Sequence, residues 1–293
     1  MKGLILINGY PSAEKFLRQS ARIQAELCAL GIETDVVKNG EIAAKFSNDG
    51  NVSVDVKKYG FAVYLDKDKY LGEMLEVAGL RLFNPSKAVE TCDDKMRTFL
   101  ALKNSGLRFP DTVSAPLCYT KDAKVNRPFL RFVEKTLGFP VVVKKSYGSF
   151  GEGVRLAKTF EELETVAQEW LHQPHFFQKY IAESKGKDLR VIVVGGKAIG
   201  SMERRAQGDE FRSNVELGGV GVAVDLPDAY KKAAELAATK LELDYCGVDL
   251  LETAKGPVLC EVNSNAFFEG FESATGINVA KAYAEHIVKE MQK

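Results

Sequence analysis

Near its start the chain carries the apolar run Leu4-Ile5-Leu6-Ile7, with no polar residue alternating along it. A strand of this kind has no face suited to water, so it belongs in a parallel sheet covered by helices on both sides. Residues 12–30 follow with apolar groups at helical spacing: Ala13, Phe16, Leu17, Ala21, Ile23, Ala25, Leu27 and Leu30. Ser12 stands in the N-cap position and Gly31 just past the end, the usual start and stop signals. The pattern then repeats, with a second buried strand over Phe61–Leu65 and a short helix from Tyr70 to Ala78. Alternation of strand and helix predicts a small parallel α/β unit. Asn8-Gly9-Tyr10-Pro11 follows the first strand where a dinucleotide-binding unit needs G-x-G-x-x-G, so a nicotinamide-type fold is disfavoured.

Asn84-Pro85-Ser86 predicts a turn out of this unit, and residues 93–105 a helix that stops before Gly106. From Leu137 to Gly200 the pattern is strand, glycine-rich loop, strand, helix, strand and hairpin. The helix, 159–172, opens on Thr159 with Glu162 three residues later, a capping box. A polar, glycine-rich loop is expected over 206–221, then a helix from Asp225 to Leu243 with Pro227 in its first turn. Strands at 245–252 and 257–263 and a last helix at about 277–292 complete the chain. With 293 residues, 45% of them hydrophobic, there is material for more than one core. Domain boundaries are expected at 1–85, 86–182 and 183–293.

The 40 basic residues balance the 40 acidic ones, so no global field recruits nucleic acid or an anionic membrane. Small molecules are the expected partners. The first ten residues lack the longer apolar stretch of a signal peptide, and no run approaches the ~18 apolar residues of a membrane span; a cytoplasmic location is expected. Five scattered cysteines with no C-x-x-C pair argue against a disulfide framework or zinc site. The three histidines form no catalytic motif.

Three segments carry chemistry. Val141-Val142-Val143-Lys144-Lys145 delivers lysine to the edge of a loop containing Gly148, Gly151 and Gly153. Glycines allow backbone N–H groups to converge on phosphate oxygens, and a lysine beside them offsets the charge. An ordinary glycine-rich hairpin turn accounts for the same residues. Near the C-terminus, Asp249, Glu261 and Asn263 lie on two apolar strands. Residues two apart on a strand share a face, so Glu261 and Asn263 point together, and an antiparallel neighbour brings Asp249 opposite them. Two carboxylates and an amide oxygen suit Mg²⁺; salt-bridged acids at strand ends are the alternative. The third segment gathers Lys187-Asp188-Leu189-Arg190, Arg204-Arg205 and Arg212, a set suited to phosphate or carboxylate, although solvated arginines explain any one of them equally well.

Taken in order, these segments resemble the ATP-grasp superfamily, specifically the RimK-type α-L-glutamate ligases and their LysX-like relatives. The resemblance rests on Asn84-Pro-Ser, Cys92-Asp-Asp-Lys95, Pro140-Val-Val-Val-Lys144, the Gly148–Gly153 loop, Phe177-Gln-Lys-Tyr-Ile181, Lys187-Asp-Leu-Arg190, Phe211-Arg-Ser-Asn214, Gly247-Val-Asp249, Glu261-Val-Asn263 and Ala274-Thr-Gly-Ile277. It implies an α/β chain with an N-terminal parallel (pre-ATP-grasp) domain, a small α+β lid and a C-terminal α+β lobe carrying the metal site. ATP would lie between lobes. Lys95 and Lys144 would hold its phosphates, with Gly148, Ser149, Gly151 and Gly153 in the loop above them. Lys179 and Tyr180 would form the adenine hinge, Asp188 would lie near the ribose, and Arg212, Ser213 and Asn214 would contribute to nucleotide binding. Asp249, Glu261 and Asn263 would ligate Mg²⁺, as a pair of ions, with Mn²⁺ able to substitute.

Arg204, with Arg205 as the alternative, would face the transferred phosphoryl group. The implied reaction is ATP-dependent ligation of a carboxylate to an amine through an acylphosphate, adding glutamate or another amino acid to a peptide, protein tail or metabolite; relatives commonly form homo-oligomers. A peptide-macrocyclising ligase and a non-catalytic nucleotide-binding protein are the alternatives. Glu152 inside the phosphate loop, Lys179 in the hinge and Ser264-Asn265-Ala266-Phe267-Phe268 in place of a Pro-Gly turn depart from the family pattern. The last of these falls where the substrate pocket is expected, and points to a less polar acceptor than glutamate.

Overall fold

The computed structural model describes residues 1–10, 14–148, 151, 153–207 and 219–293. The expected cap Ser12 lies outside them, as do Ser149, Glu152, Arg212, Ser213 and Asn214. Four parallel strands form the first sheet, in the order Glu33–Lys38, Lys2–Ile7, Phe61–Leu65, Arg81–Phe83. The apolar run at its centre is buried on both faces. Leu4 and Leu6 join a core with Leu71 and Leu75 of the helix Lys69–Val77, whereas Ile5 and Ile7 join another with Ile23 and Leu27 of the helix Glu14–Ala29. A small antiparallel hairpin, Ala44–Phe46 with Val52–Val54, adds to this unit without an obvious sequence signal.

The middle sheet is antiparallel, in the order Thr112–Ser114, His175–Lys179, Val141–Lys145, Val154–Ala157. The helices Arg127–Leu137 and Phe160–Glu169 cover one face, where Val141, Val143 and Phe177 are buried. Alternation turns Val142, Lys144 and Gln178 to the opposite face, which lines a cavity. The third sheet is also antiparallel: Val220–Ala223, Lys197–Arg205, Lys187–Val194, Tyr245–Leu251, Val258–Asn263. Its strand Lys187–Val194 serves two cores. Val191 and Val193 pack with Ala234, Ala237 and Ala238 of the helix Asp228–Lys240. Ile192 and Val194 pack with Tyr283, Ala284 and Ile287 of the last helix, Val279–Met291. That last core also contains Ile5, Ile7, Phe61 and Val63, so the first and third sheets share one apolar interior.

Several expected boundaries move for local reasons. The helix expected at 93–105 is two helices, Ser86–Asp93 and Lys95–Ala101, because Asp94 takes an extended conformation and its carboxylate accepts from the Met96 and Arg97 amides. Thr159 caps its helix by accepting from the Glu162 amide at 3.3 Å, but the Glu162 carboxylate reaches back to the Lys158 amide, one residue outside the expected box. Pro227 precedes the helix Asp228–Lys240 in the N-cap position, with ψ of 150°, and is not in its first turn. Gly195 and Gly196 turn the hairpin with φ of +56° and +75°, the positive pair that a two-residue turn between twisted strands requires. The helix Glu269–Thr275 was not foreseen; it is short and covers the shared core through Phe271. No helix among the described residues is long and apolar enough to cross a membrane.

Asn84 fastens the first sheet to the third. It is fully buried, its amide donates to the Tyr245 and Ser264 carbonyls at 2.8 and 2.7 Å, and its oxygen accepts from the Tyr245 amide at 2.9 Å. Asn84→Ala leaves three main-chain groups unsatisfied. Removing one hydrogen-bonding partner in a core costs ~1–3 kcal/mol per group, so urea denaturation is expected to show a loss of at least ~3 kcal/mol with an unchanged m-value.

Candidate active site

The three sheets meet around a cavity of about 400 Å³. Its described lining holds the basic residues Lys67, Lys95, Lys144, Lys145, Lys179, Lys187, Arg190 and Arg204 against the acidic Asp66, Asp93, Asp188, Asp249 and Glu261. A chain with no net charge thus concentrates positive charge here, in a concave space that strengthens the field. Apolar side chains complete the walls, among them Val142, Ile181, Leu251 and Val262. A flat ring with an attached polyanion matches that division.

Lys144 stands on the cavity face of its strand, its Nζ 3.6 Å from Cys260 Sγ. Burial pushes the Cys260 thiol up, against the opposing pull of Lys144, so the sulfur is a neutral neighbour and not a thiolate. Lys95 opens the helix Lys95–Ala101, and its amide donates to the Ser146 carbonyl at 3.0 Å. Its Nζ donates to the Gly148 carbonyl at 2.7 Å and lies 3.3 Å from Glu261 Oε1. One lysine therefore ties the glycine loop of the middle sheet to a carboxylate of the third. Gly148 and Gly151 have φ of +128° and +76°, values open to glycine, and both line the cavity with Gly153. Tyr180 and Lys179 line it as well. The Lys179 side chain lies 3.8 Å from Asp111, while its amide donates to the Asp111 carbonyl at 2.8 Å.

The acids expected to gather do so. Asp249 pairs across strands with Glu261, and Gly247 with Asn263. Asn263 Nδ2 lies 3.4 Å from Asp249 Oδ2. Arg190 sits opposite Asp249 on the other neighbouring strand, and its Nε and terminal nitrogen each donate to an Asp249 oxygen at 2.7 Å. Arg204 reaches the same Oδ2 at 2.8 Å and makes a two-pronged pair with Asp188 at 2.7 and 2.6 Å. Burial opposes ionisation of Asp249, but Arg190 and Arg204 outweigh it and hold the carboxyl below the usual range. Burial likewise opposes the Arg204 charge, and Asp249 and Asp188 together keep it ionised.

The donor set fits a hard divalent ion. A carboxylate has about four lone-pair directions, and among the described residues Asp249 Oδ1 accepts from Arg190 alone, which leaves room for a cation beside the arginines. Asn263 donates through Nδ2 and so has its oxygen to offer, and Glu261 lines the cavity. Oxygen-only ligation of this kind suits Mg²⁺.

Arg204 and Arg205 are separated by strand alternation. Arg204 turns into the cavity, while the Arg205 side chain is 65% exposed and meets Glu203 on the outer face. Asp188, expected near a sugar, has both oxygens held by Arg204 and so acts first on that guanidinium. Phe267 lines the cavity, whereas Phe268 is buried in the shared core against Tyr245. Arg155 pairs with Glu169 at 3.2 Å. Arg190, expected only as one of a basic set, takes Asp249 as its partner, two residues after Asp188 on the same strand face. Asn265 lines the cavity within the segment expected at the substrate pocket, and Asn8, Gln19 and Asp66, for which the sequence carries no site expectation, line it as well.

Comparison with known proteins matches residues 92–287 to the family model of the RimK-like ATP-grasp domain. N-acetylaspartylglutamate synthase A of Homo sapiens is 37% identical over 229 residues, which is 77% of this chain and 56% of that protein. A probable alpha-L-glutamate ligase 2 of Pseudoalteromonas atlantica is 35% identical over 240 residues, covering 81% of this chain and 74% of the relative. The chain thus spans little more than half the length of the synthase. In fold, D-alanine–D-alanine ligase from Bacillus anthracis complexed with ATP superposes with a TM-score of 0.74 at 21% identity, over 100% of this chain and 97% of that one.

Removing one partner of a buried charge pair costs ~3–5 kcal/mol. Arg204→Met strands Asp188 and leaves Asp249 with Arg190 alone, and is expected to lower stability by ~3 kcal/mol in urea titration. Arg205→Met, on the solvated face, is expected to leave the midpoint near that of the wild type.

Proposed function

Because the chain belongs to the RimK-like ATP-grasp family, we propose that it is an ATP- and Mg²⁺-dependent ligase that joins a carboxylate to an amine through an acylphosphate. The observation that carries this reading is the strand register that sets Asp249 against Glu261, in one cavity with Lys95, Lys144 and Arg204. Lys95, Lys144 and the Gly148–Gly153 loop hold the nucleotide phosphates. The Lys179–Tyr180 segment serves the adenine, mainly through its backbone, since the Lys179 side chain is turned toward Asp111. Asp249, Glu261 and Asn263 hold Mg²⁺, which offsets charge on the phosphoryl oxygens when bound.

The substrate carboxylate oxygen attacks the γ-phosphorus of ATP, and ADP leaves. Arg204, fixed by Asp188 and Asp249, meets the negative charge on the moving phosphoryl group. The amine nitrogen then attacks the acyl carbon, inorganic phosphate leaves and the nitrogen loses its proton, giving an amide. No protein nucleophile is required, and positioning with electrostatics supplies the rate. The acid and the amine are of the classes used by the relatives, with an amino acid as one of them. The chain folds as a parallel α/β domain, a middle lid and a metal-bearing lobe, with boundaries at 1–85, 86–182 and 183–293.

Incubation with MgATP, the proteinogenic amino acids and a panel of di- and tricarboxylic acids is expected to release ADP and yield a product one water lighter than the summed reactants, read by mass spectrometry. No ADP release and no condensed mass across the panel would overturn the reading. Glu261→Gln is expected to cut product formation at least ~100-fold, since charge stabilisation at a phosphoryl centre is worth several kcal/mol, while the melting temperature stays at or above that of the wild type.

A further inference from the structure

Of the described basic residues around the cavity, Lys67 alone belongs to the unit of the first sheet. The topology gives that place a meaning. The chain runs from the strand Lys2–Ile7 to its neighbour Glu33–Lys38 on one side, then crosses to Phe61–Leu65 and Arg81–Phe83 on the other. Strand order therefore reverses between Lys2–Ile7 and Phe61–Leu65. In an open parallel sheet, ligands collect in the crevice beyond the carboxyl ends of such a pair. Asn8 follows the first of these strands and Asp66-Lys67 the second, and all three residues line the cavity.

Lys67 is held at this edge from several sides. Asp66 Oδ1 accepts from the Lys67 amide at 2.7 Å and from Asn8 Nδ2 at 3.0 Å, which fixes the main chain. The Asp66 carbonyl accepts from Asn265 Nδ2 at 3.2 Å, so the same stretch is tied to the segment just after Asn263. Lys67 Nζ donates to Asp93 Oδ1 at 2.6 Å, at the end of the helix Ser86–Asp93 and two residues before Lys95. An ammonium carries three N–H groups, so it holds Asp93 and still has donors for a further acceptor. The Lys67 side chain is 42% exposed. A pair so open to water contributes little to stability and leaves the cation within reach of a ligand. Burial pushes the Cys92 thiol up to about 12; the Lys67 charge opposes that shift, and Asp93 and Glu261 add to it. One thiol in the cavity wall thus feels both Lys67 and an acid of the proposed metal set, so the lysine stands near the centre of the proposed reaction.

We propose that Lys67 receives a substrate carboxylate, one that takes no part in the reaction, in the crevice beyond the carboxyl ends of Lys2–Ile7 and Phe61–Leu65. This assignment rests on the ligase reading and deepens it. Lys95, Lys144 and Arg204 serve the phosphates and the transferred group, and Lys67 supplies the cation of a second anionic site. The carboxylate belongs either to a dicarboxylic acid or to an amino acid, since both present the same planar anion. Lys67 is a specificity-determining residue that favours substrates with a carboxylate to spare.

The test compares the wild type with Lys67→Met, using MgATP, a productive acid and a productive amine. Each substrate is also offered with its non-reacting carboxylate replaced by a carboxamide. In the wild type, that replacement is expected to raise KM for one substrate about 10-fold, the worth of a charged hydrogen bond. Whichever substrate responds identifies the source of the carboxylate. In Lys67→Met the unmodified substrate is expected to show the same rise, and the carboxamide to add no more than about twofold, as two changes to one contact should. KM for ATP and the melting temperature are expected to stay near those of the wild type. Asp93→Asn breaks the ion pair and keeps the cation, so its shift in substrate KM is expected to be much the smaller. A carboxamide that costs as much in Lys67→Met as in the wild type overturns the assignment. So does an Asp93→Asn variant that matches Lys67→Met, which makes the lysine a strut, or a parallel rise in KM for ATP, which makes it a phosphate ligand. The wild-type arm needs no variant: if neither carboxamide weakens its substrate, the assignment is overturned while the ligase reading stands. If the wild type releases no ADP with any substrate, the ligase reading fails and the assignment falls with it.

Discussion

A single carboxylate shared by two guanidiniums organises this molecule. Asp249 is almost without solvent, and an ion in such a place persists only if it is paired in good geometry. Arg190 supplies that pairing from the strand beside it and Arg204 from the next strand along, so the charge binds the register of the third sheet to the shape of the cavity. Arg204 is fixed in turn by Asp188. The arrangement puts a rigid cation next to Asp249 and Glu261, so under the proposed reaction neither group has to reorganise before phosphoryl transfer.

Much of this was legible in the residues. The unbroken Leu4–Ile7 run and the helical spacing after it specified a strand covered on both faces, and the sheet is parallel. Glu261 and Asn263, two apart, specified a common face, and the family resemblance assigned them a task. Period-two reasoning left Arg204 and Arg205 as equals, because alternation says that two neighbours differ but not which one faces inward. That choice is made by Met202, two residues before Arg204, which is buried in the shared core. Arg190 reads from the sequence as one arginine of a basic set, because its own task comes from a cross-strand partner fifty-nine positions away.

The departures from the family pattern divide by location. Lys179 lines the cavity with its side chain turned to Asp111, so its charge would be spent away from an adenine bound at the proposed hinge. Phe267 and Phe268 looked like a paired apolar feature, yet only the first borders the cavity and the second completes the interior against Tyr245. That part of the cavity is therefore mixed, with one aromatic side chain among Asn8, Gln19, Asp66 and Asn265.

The core around the last helix has a mechanical consequence. It fuses the outer two sheets into one stiff frame, because Ile5, Ile192 and Tyr283 pack in a single interior. The middle sheet keeps its own interior, closed by Trp170 and Phe177, and meets the rest through the Lys95 contacts and through Phe176, whose ring stands edge-on to Phe99. Dense apolar packing resists deformation, whereas a few hydrogen bonds yield. The stiff part of the molecule is thus the pair of outer sheets, and Asp249, Glu261 and Asn263 all stand on it.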